Sequence, residues 1–248
     1  SVGLVGSEMC IRDRTIIVIP ARFKSSRFPG KPLVKLLGRP MILWVAQVCS
    51  SVLGNKNVYV ATENKKIFKL VTENGYRAIM TSKNCLTGTD RLAEVAKKIK
   101  ADIYINVQGD EPLVNPKDIK RIIKEKEKYP NEIINGYTKI SKKEDPNNIN
   151  IPKVIFTKNR RLIYISRQII PGFKNKKYKP MAYYKQVCIY AFSRSELHMF
   201  KGHKYKSTIE KSEDIEILRF LECNKTIRVV ETSACLLYTS PSPRDQLT

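Results

Sequence analysis

Short β-branched apolar runs alternate with stretches of helical length through the first half of the chain. This alternation restricts the possible folds more than any other feature. TIIVIP (Thr15 to Pro20), NVYVA (Asn57 to Ala61), Tyr76 to Met80 and DIYINV (Asp102 to Val107) read as strands. TIIVIP is apolar and β-branched almost throughout, as a strand covered on both faces must be. Met41 to Val52, Lys65 to Glu73 (stopped by Gly75) and Thr89 to Lys100 have helical length, and Pro116 to Lys128 is a charged amphipathic helix with proline near its start. Strand–helix–strand units with such short connections give right-handed crossovers. The expected class is therefore α/β, with a mostly parallel central sheet flanked by helices.

The second half is less regular. Ile133 to Ile140, Lys153 to Phe156 and Leu162 to Ser166 read as strands that either extend the sheet or form a separate ribbon. Gln186 to Phe192 and Thr226 to Glu231 read as two more, and Ser207 to Glu210 fits a capping box expected to open a helix running through Leu221.

Two segments stand apart. Leu4 to Arg14 reads LVGSEMCIRDR and Cys235 to Asp245 reads CLLYTSPSPRD. Both resemble in-frame translations of a sequencing-library adapter, one strand at each end. The expected division is a foreign tail over residues 1–14, one domain over 15–233 and a second foreign tail over 234–248.

A chain of 248 residues can bury one substantial core. No apolar run approaches the ~20 residues that cross a bilayer, and no basic n-region precedes a secretory core, so membrane insertion is not expected and a cytoplasmic protein is. The net charge of +23 admits a nucleic-acid footprint. The lysines, however, are scattered (Lys65, Lys97, Lys124, Lys142, Lys176, Lys204) rather than gathered with aromatics on one element. General lysine usage with attraction for a polyanionic substrate explains the charge better than a nucleic-acid partner. The six cysteines show no zinc spacing, and Cys49, Cys85, Cys188 and Cys223 sit in or beside apolar or helical segments as thiols.

In open parallel sheets, ligands bind beyond the carboxyl ends of strands, and the loops after Pro20 and Val107 hold the chemistry. The first, PARFKSSRFPGKP (Pro20 to Pro32), crowds Arg22, Arg27, Lys24 and Lys31 among small residues. Guanidinium forks, a lysine charge and accessible amides suit a triphosphate, although composition alone equally allows a basic surface loop. The second, NVQGDEP (Asn106 to Pro112), sets a glycine beside Asp110 at a strand end. It reads as a carboxylate presented to a hard cation such as Mg²⁺, or as a turn that Asp110 caps. TGTDRLAE (Thr87 to Glu94) reads as a helix start capped by Thr87 or Thr89.

IPARxxSxRxPGKPL and NVQGDEP together resemble the 3-deoxy-manno-octulosonate (Kdo) and related sialic-type cytidylyltransferases. The likeness extends from Thr15 to about Glu231. It implies a Rossmann-like nucleotidyltransferase fold with a small β-rich subregion for dimerisation and sugar binding. It also implies conversion of Kdo and CTP to CMP-Kdo and pyrophosphate for lipopolysaccharide synthesis; 8-amino-Kdo or a nonulosonic acid are alternative acceptors. By the same resemblance Arg22, Ser25 and Arg27 contact CTP and Lys31 holds its phosphates, with Arg22, Lys31 and Asp110 as the catalytic set. Asp110 is the implied Mg²⁺ ligand, Gln108 touches nucleotide or sugar, and Thr89 and Arg91 line the cytidine pocket.

For the sugar, YISR with Ile170-Pro171 resembles the family's YFSR…IP segment, which implies Arg167 on the sugar carboxylate. Gln186 and Cys188 stand where the family's HxGIY has His and Gly, while Tyr190 carries over. Glu210 and Glu213 match an LEHIE pattern near the sugar, or else lie on a solvated helix face; His198 and His203 match no family position and read as surface residues. The family's VDTPEDL segment, with a second metal-binding aspartate, has no counterpart up to Ser233. A homodimer through the region from Ile133 to Ser166 is also implied.

Overall fold

The computed structural model describes residues 15–23, 28–203 and 205–233. The eleven strands are β1 (Thr15–Pro20), β2 (Lys35–Leu36), β3 (Arg39–Pro40), β4 (Val58–Thr62), β5 (Arg77–Met80), β6 (Ile103–Val107), β7 (Ile133–Lys139), β8 (Lys153–Phe156), β9 (Leu162–Ser166), β10 (Tyr184–Ser193) and β11 (Ile227–Glu231). The α-helices are α1 (Met41–Leu53), α2 (Lys65–Glu73), α3 (Gly88–Lys98), α4 (Pro116–Lys128), α5 (Arg194–Gly202), α6 (Thr208–Glu213) and α7 (Leu218–Glu222).

The central sheet has the order β11-β7-β10-β6-β1-β4-β5. β1 pairs in parallel with β4 and β6, β4 with β5, and β7 with β11. β10 is antiparallel to both β6 and β7, so it alone runs against the rest of this path. The expected parallel sheet therefore becomes a mostly parallel, mixed one. Both expectations for the middle strands hold in part: β7 extends the main sheet, whereas β8 and β9 form a ribbon joined to it through Lys185 of β10 opposite Lys153.

The pleat sends alternate residues of β1 to opposite layers. Ile17 and Ile19 pack with Ile42, Val45 and Ala46 of α1, Ile67 and Val71 of α2, and Ile119 and Ile122 of α4. Ile16 and Val18 pack with Leu92 and Val95 of α3, Leu197 and Phe200 of α5, and Phe220 of α7. Two apolar faces require two helical layers, and the buried TIIVIP run is the sequence's record of that.

One helix was not expected from the sequence. α5 opens with a capping box in which the Ser193 hydroxyl accepts the Glu196 N–H and Glu196 accepts the Ser193 N–H. The Ser-x-x-Glu signal is plain, but the β-run before it leaves no turn residue to mark the boundary. The expected single helix from Ser207 to Leu221 is instead two short helices. Asp214 adopts a left-handed conformation (φ 50°, ψ 47°) and ends α6, and the chain turns before α7.

Candidate active site

Two loops meet at the point where the strand order reverses, because β6 and β4 lie on either side of β1. Gly109 makes the meeting possible. Its N–H donates to the Pro20 carbonyl at 3.3 Å, and a Cβ there would stand 2.9 Å from that carbonyl oxygen and 3.1 Å from Ile42 Cδ1. Only glycine lets the backbone after β6 lie so close to the end of β1. The outcome is a direct contact between the two sequence motifs: Lys31 Nζ lies 2.7 Å from Asp110 Oδ2, and both side chains are 42% exposed. Such an ion pair, half in water, is easily re-formed around a ligand and contributes little stability by itself.

The first loop is fixed at its base. The Phe23 N–H donates to Glu63 Oε1 at 3.0 Å, and the Phe23 carbonyl accepts the Gly30 N–H at 2.8 Å. Gly30 has φ 75°, a left-handed conformation that favours glycine, and the Phe23 ring lies against it. Lys31 follows directly. Arg22 is exposed, and its Nη1 donates to the Leu86 carbonyl at 3.3 Å, which binds the loop after β1 to the approach of α3. Ser25 and Arg27 lie outside the described residues.

Beside Asp110, Glu111 is half-buried against a cleft wall formed by Val107, Gln108, Leu113, Val114, Val187, Cys188 and Ile189. Burial, reinforced by the Asp110 charge and opposed by Lys31 and Lys185, pushes its carboxyl up to about 7. Gln108 is half-buried, and its Nε2 would lie 3.5 Å from a Cβ on Gly88, so it sits against the start of α3.

α3 begins at the same end of the sheet, with Thr87 as N-cap in a capping box with Asp90. Thr89 is fully buried, and its N–H donates to Glu216 Oε2 at 2.9 Å. A carboxylate at a helix N-terminus is favourably placed against the dipole. Glu216 as a residue is half-buried, but its carboxyl end is enclosed, and burial raises its pKa. The sequence reading missed this residue. Its signal was the three-residue spacing of Glu210, Glu213 and Glu216, which a continuous helix would place on one face. The break at Asp214 sends the three carboxylates to different places.

Arg91 is 1% exposed, and its Nη2 lies 2.6 Å from Glu63 Oε2 while Nη1 donates to Thr81 Oγ1 at 2.6 Å. It stands behind the first loop rather than in the cleft.

The residues expected at the sugar are engaged within the protein. Glu210 is fully buried and takes Arg219 Nε and Nη2 at 2.7 and 2.8 Å, which also removes it from any solvated face. Glu213 accepts the Ser166 hydroxyl at 2.6 Å and the Arg167 N–H at 2.8 Å. The Arg167 guanidinium donates to the Glu213 and Asp214 carbonyls at the end of α6 and to the Ile149 carbonyl in the loop before β8. Gln186 and Tyr190 are each 2% exposed, and Gln186 Nε2 donates to Asn135 Oδ1 and the Tyr190 hydroxyl. Cys188, between them, lines the cleft together with its neighbours Val187 and Ile189. His198 and His203 are exposed.

The chain is similar to known proteins over most of its length. Residues 16–227 match the family model described as cytidylyltransferase. The 3-deoxy-manno-octulosonate cytidylyltransferase of Escherichia coli is 36% identical over 225 residues, 90% of this chain and 89% of the relative. The 8-amino-3,8-dideoxy-manno-octulosonate cytidylyltransferase of Shewanella oneidensis is 36% identical over 221 residues, 86% of this chain and 88% of that one. The solved structure of CMP:2-keto-3-deoxy-manno-octonic acid synthetase complexed with CTP superposes with a TM-score of 0.82 at 37% identity, covering 89% of this chain and 90% of that one.

Proposed function

Because the chain belongs to the cytidylyltransferase family, we propose that it is a nucleotidyltransferase that joins the cytidylyl group of CTP to Kdo and releases pyrophosphate. The observation that carries the reading is the Lys31–Asp110 contact, which brings the cationic loop and the strand-end carboxylate into one pocket. The sugar's anomeric hydroxyl oxygen forms a bond to the α-phosphorus, the bond from that phosphorus to the bridging oxygen breaks, and the hydroxyl proton leaves.

Lys31, Arg22 and, from the same motif, Ser25 and Arg27 hold the triphosphate, so that its charge is balanced and the α-phosphorus faces the acceptor. Gln108 and the start of α3 with Thr89 bound the nucleotide, and Arg91 acts from behind the loop. Placing the two reactants accounts for most of the catalysis, since little covalent help is needed.

The donor set fits Mg²⁺. Asp110 offers a half-exposed oxygen ligand, and such ions take one or two carboxylates and complete their shell with substrate phosphates. Bound there by Asp110, the ion would neutralise phosphate charge and favour ionisation of the attacking hydroxyl.

For the acceptor, Cys188 and Glu111 line the cleft, while Arg167, Gln186, Tyr190, Glu210 and Glu213 are bonded within the protein; sugar contact by any of these five requires their internal bonds to be exchanged. A second acceptor, 8-amino-Kdo, is supported by the Shewanella relative at the same identity. Cytoplasmic location, a role in lipopolysaccharide synthesis, a homodimer and the absence of a nucleic-acid partner complete the proposal; no helix among the described residues is long and apolar enough to cross a membrane.

Calorimetry with CTP and Mg²⁺ tests the reading. Lys31→Ala and Asp110→Asn should each weaken binding by about ten- to a hundredfold, the size of losing a charged contact. Parent-like affinity in both variants defeats it. A panel of sugar acids assayed for CMP-sugar with CTP identifies the acceptor.

A further inference from the structure

The Glu63–Arg91 pair stands behind the loop that carries Arg22 and Lys31 and is joined to it through the Phe23 N–H. Glu63 begins the segment after β4 and divides its carboxylate between two partners. Oε1 accepts the Phe23 N–H at 3.0 Å, and Oε2 faces Arg91 Nη2 at 2.6 Å. The pair is nearly dry, with side chains 2% exposed for Arg91 and 11% for Glu63. Arg91 is aimed by Thr81, whose hydroxyl accepts from Nη1 at 2.6 Å. Burial lowers the Arg91 pKa, Glu63 opposes that shift, and nearby Arg22 adds to it. Phe23 is the loop's pivot, since its N–H rests on Glu63, its carbonyl holds Gly30 and its ring supports Gly30 just before Lys31.

We propose that Glu63 and Arg91 are positioning residues that fix the Phe23 backbone, and through it Arg22, Gly30 and Lys31, in the geometry that receives the CTP phosphates. The inference rests on the nucleotide reading of that loop. The buried guanidinium pairs with the other carboxylate oxygen at 2.6 Å and so restrains the group that accepts the Phe23 N–H. The rigid end of the chain of contacts is α3, which also bounds the proposed nucleotide site; the anchor thus ties both sides of the pocket to one helix.

The test compares Glu63→Ala and Glu63→Gln with a control at the other end of the sheet. There Lys126 of α4 makes a buried pair with Glu196 of α5, at 2.9 and 3.0 Å to the two carboxylate oxygens. Glu196→Gln therefore breaks an equally buried pair without touching the loop. Three quantities are measured on each protein: melting temperature, hydrogen exchange of the Phe23 amide, and CTP–Mg²⁺ affinity by calorimetry. The expected result is a lower melting temperature in all three variants. Faster Phe23 exchange and CTP binding weaker by about tenfold should appear only with the Glu63 changes, Glu63→Gln being the milder. The proposal is overturned if Glu63→Ala exchanges and binds like the parent, if exchange rises with affinity unchanged, or if Glu196→Gln weakens CTP equally. A parent that binds no CTP would instead defeat the nucleotide reading, leaving Phe23 exchange to judge the anchor alone.

Discussion

Gly109 is where a single missing side chain decides the architecture of the pocket. Replacing it with alanine puts a methyl group 2.9 Å from the Pro20 carbonyl oxygen, a backbone atom that cannot swing aside. Gly109→Ala should cost about 1–3 kcal/mol through overpacking, read by urea denaturation, and should weaken CTP binding because β1 and the loop after β6 must part. The meeting of the two loops was legible at the residue scale. Lys31 and Asp110 are 79 positions apart, and the family-like motifs at two strand carboxyl ends pointed to their proximity, which the 2.7 Å contact bears out. What could not be read was the engagement of Arg167, Glu210 and Gln186 within the protein. Each belongs to a motif that names a residue type, but whether a guanidinium faces a ligand or a helix end depends on backbone carbonyls, which no side-chain pattern records.

At the scale of elements, β10 does the least obvious work. Its register shifts between Val187 and Tyr190, and Asn135 of β7 fills the gap by donating from Nδ2 to the Val187 and Ile189 carbonyls at 2.9 and 3.3 Å. Gln186 Nε2 returns a bond to Asn135 Oδ1 at 3.1 Å. A β-bulge leaves ladder groups unpaired, and one buried amide satisfies two of them while accepting a bond from the Gln186 side chain. Asn135→Leu should therefore destabilise by about 2–3 kcal/mol, since each buried group left unpaired carries a desolvation cost; chemical denaturation measures it, with hydrogen exchange rising first at residues 187–190. Regular elements were the most legible part of the fold. α2, α4, β8 and β9 fall on their expected residues, because Gly75, Pro116 and the apolar runs mark their ends. The bulge was invisible because Gln186 to Phe192 reads as an unbroken strand, and the break between α6 and α7 was invisible because neither glycine nor proline stands at Asp214.

Taken as a whole, the molecule keeps its motif loops and the buried pair that ties its two helical layers together at opposite ends of the strands. The motif loops gather at the carboxyl ends of β1 and β6, whereas the Lys126–Glu196 pair joins α4 of one layer to α5 of the other where β10 ends, beside the start of β6. The net charge of +23 acts at the same scale, as a field over the surface rather than as a set of contacts. CTP association followed by stopped flow should slow by about tenfold between low and high salt, as the long-range attraction of a polyanion is screened, while dissociation stays nearly constant. The reversed direction of β10 has its own consequence. Its opening residues, Tyr184 to Cys188, rise at the pocket end with the strand still to come, whereas its antiparallel neighbours β6 and β7 reach that end only as they finish. Under the proposed function, a change of acceptor preference would be written into the first half of one strand, leaving both cationic and carboxylate loops untouched, so that half is the place to graft a different sugar specificity.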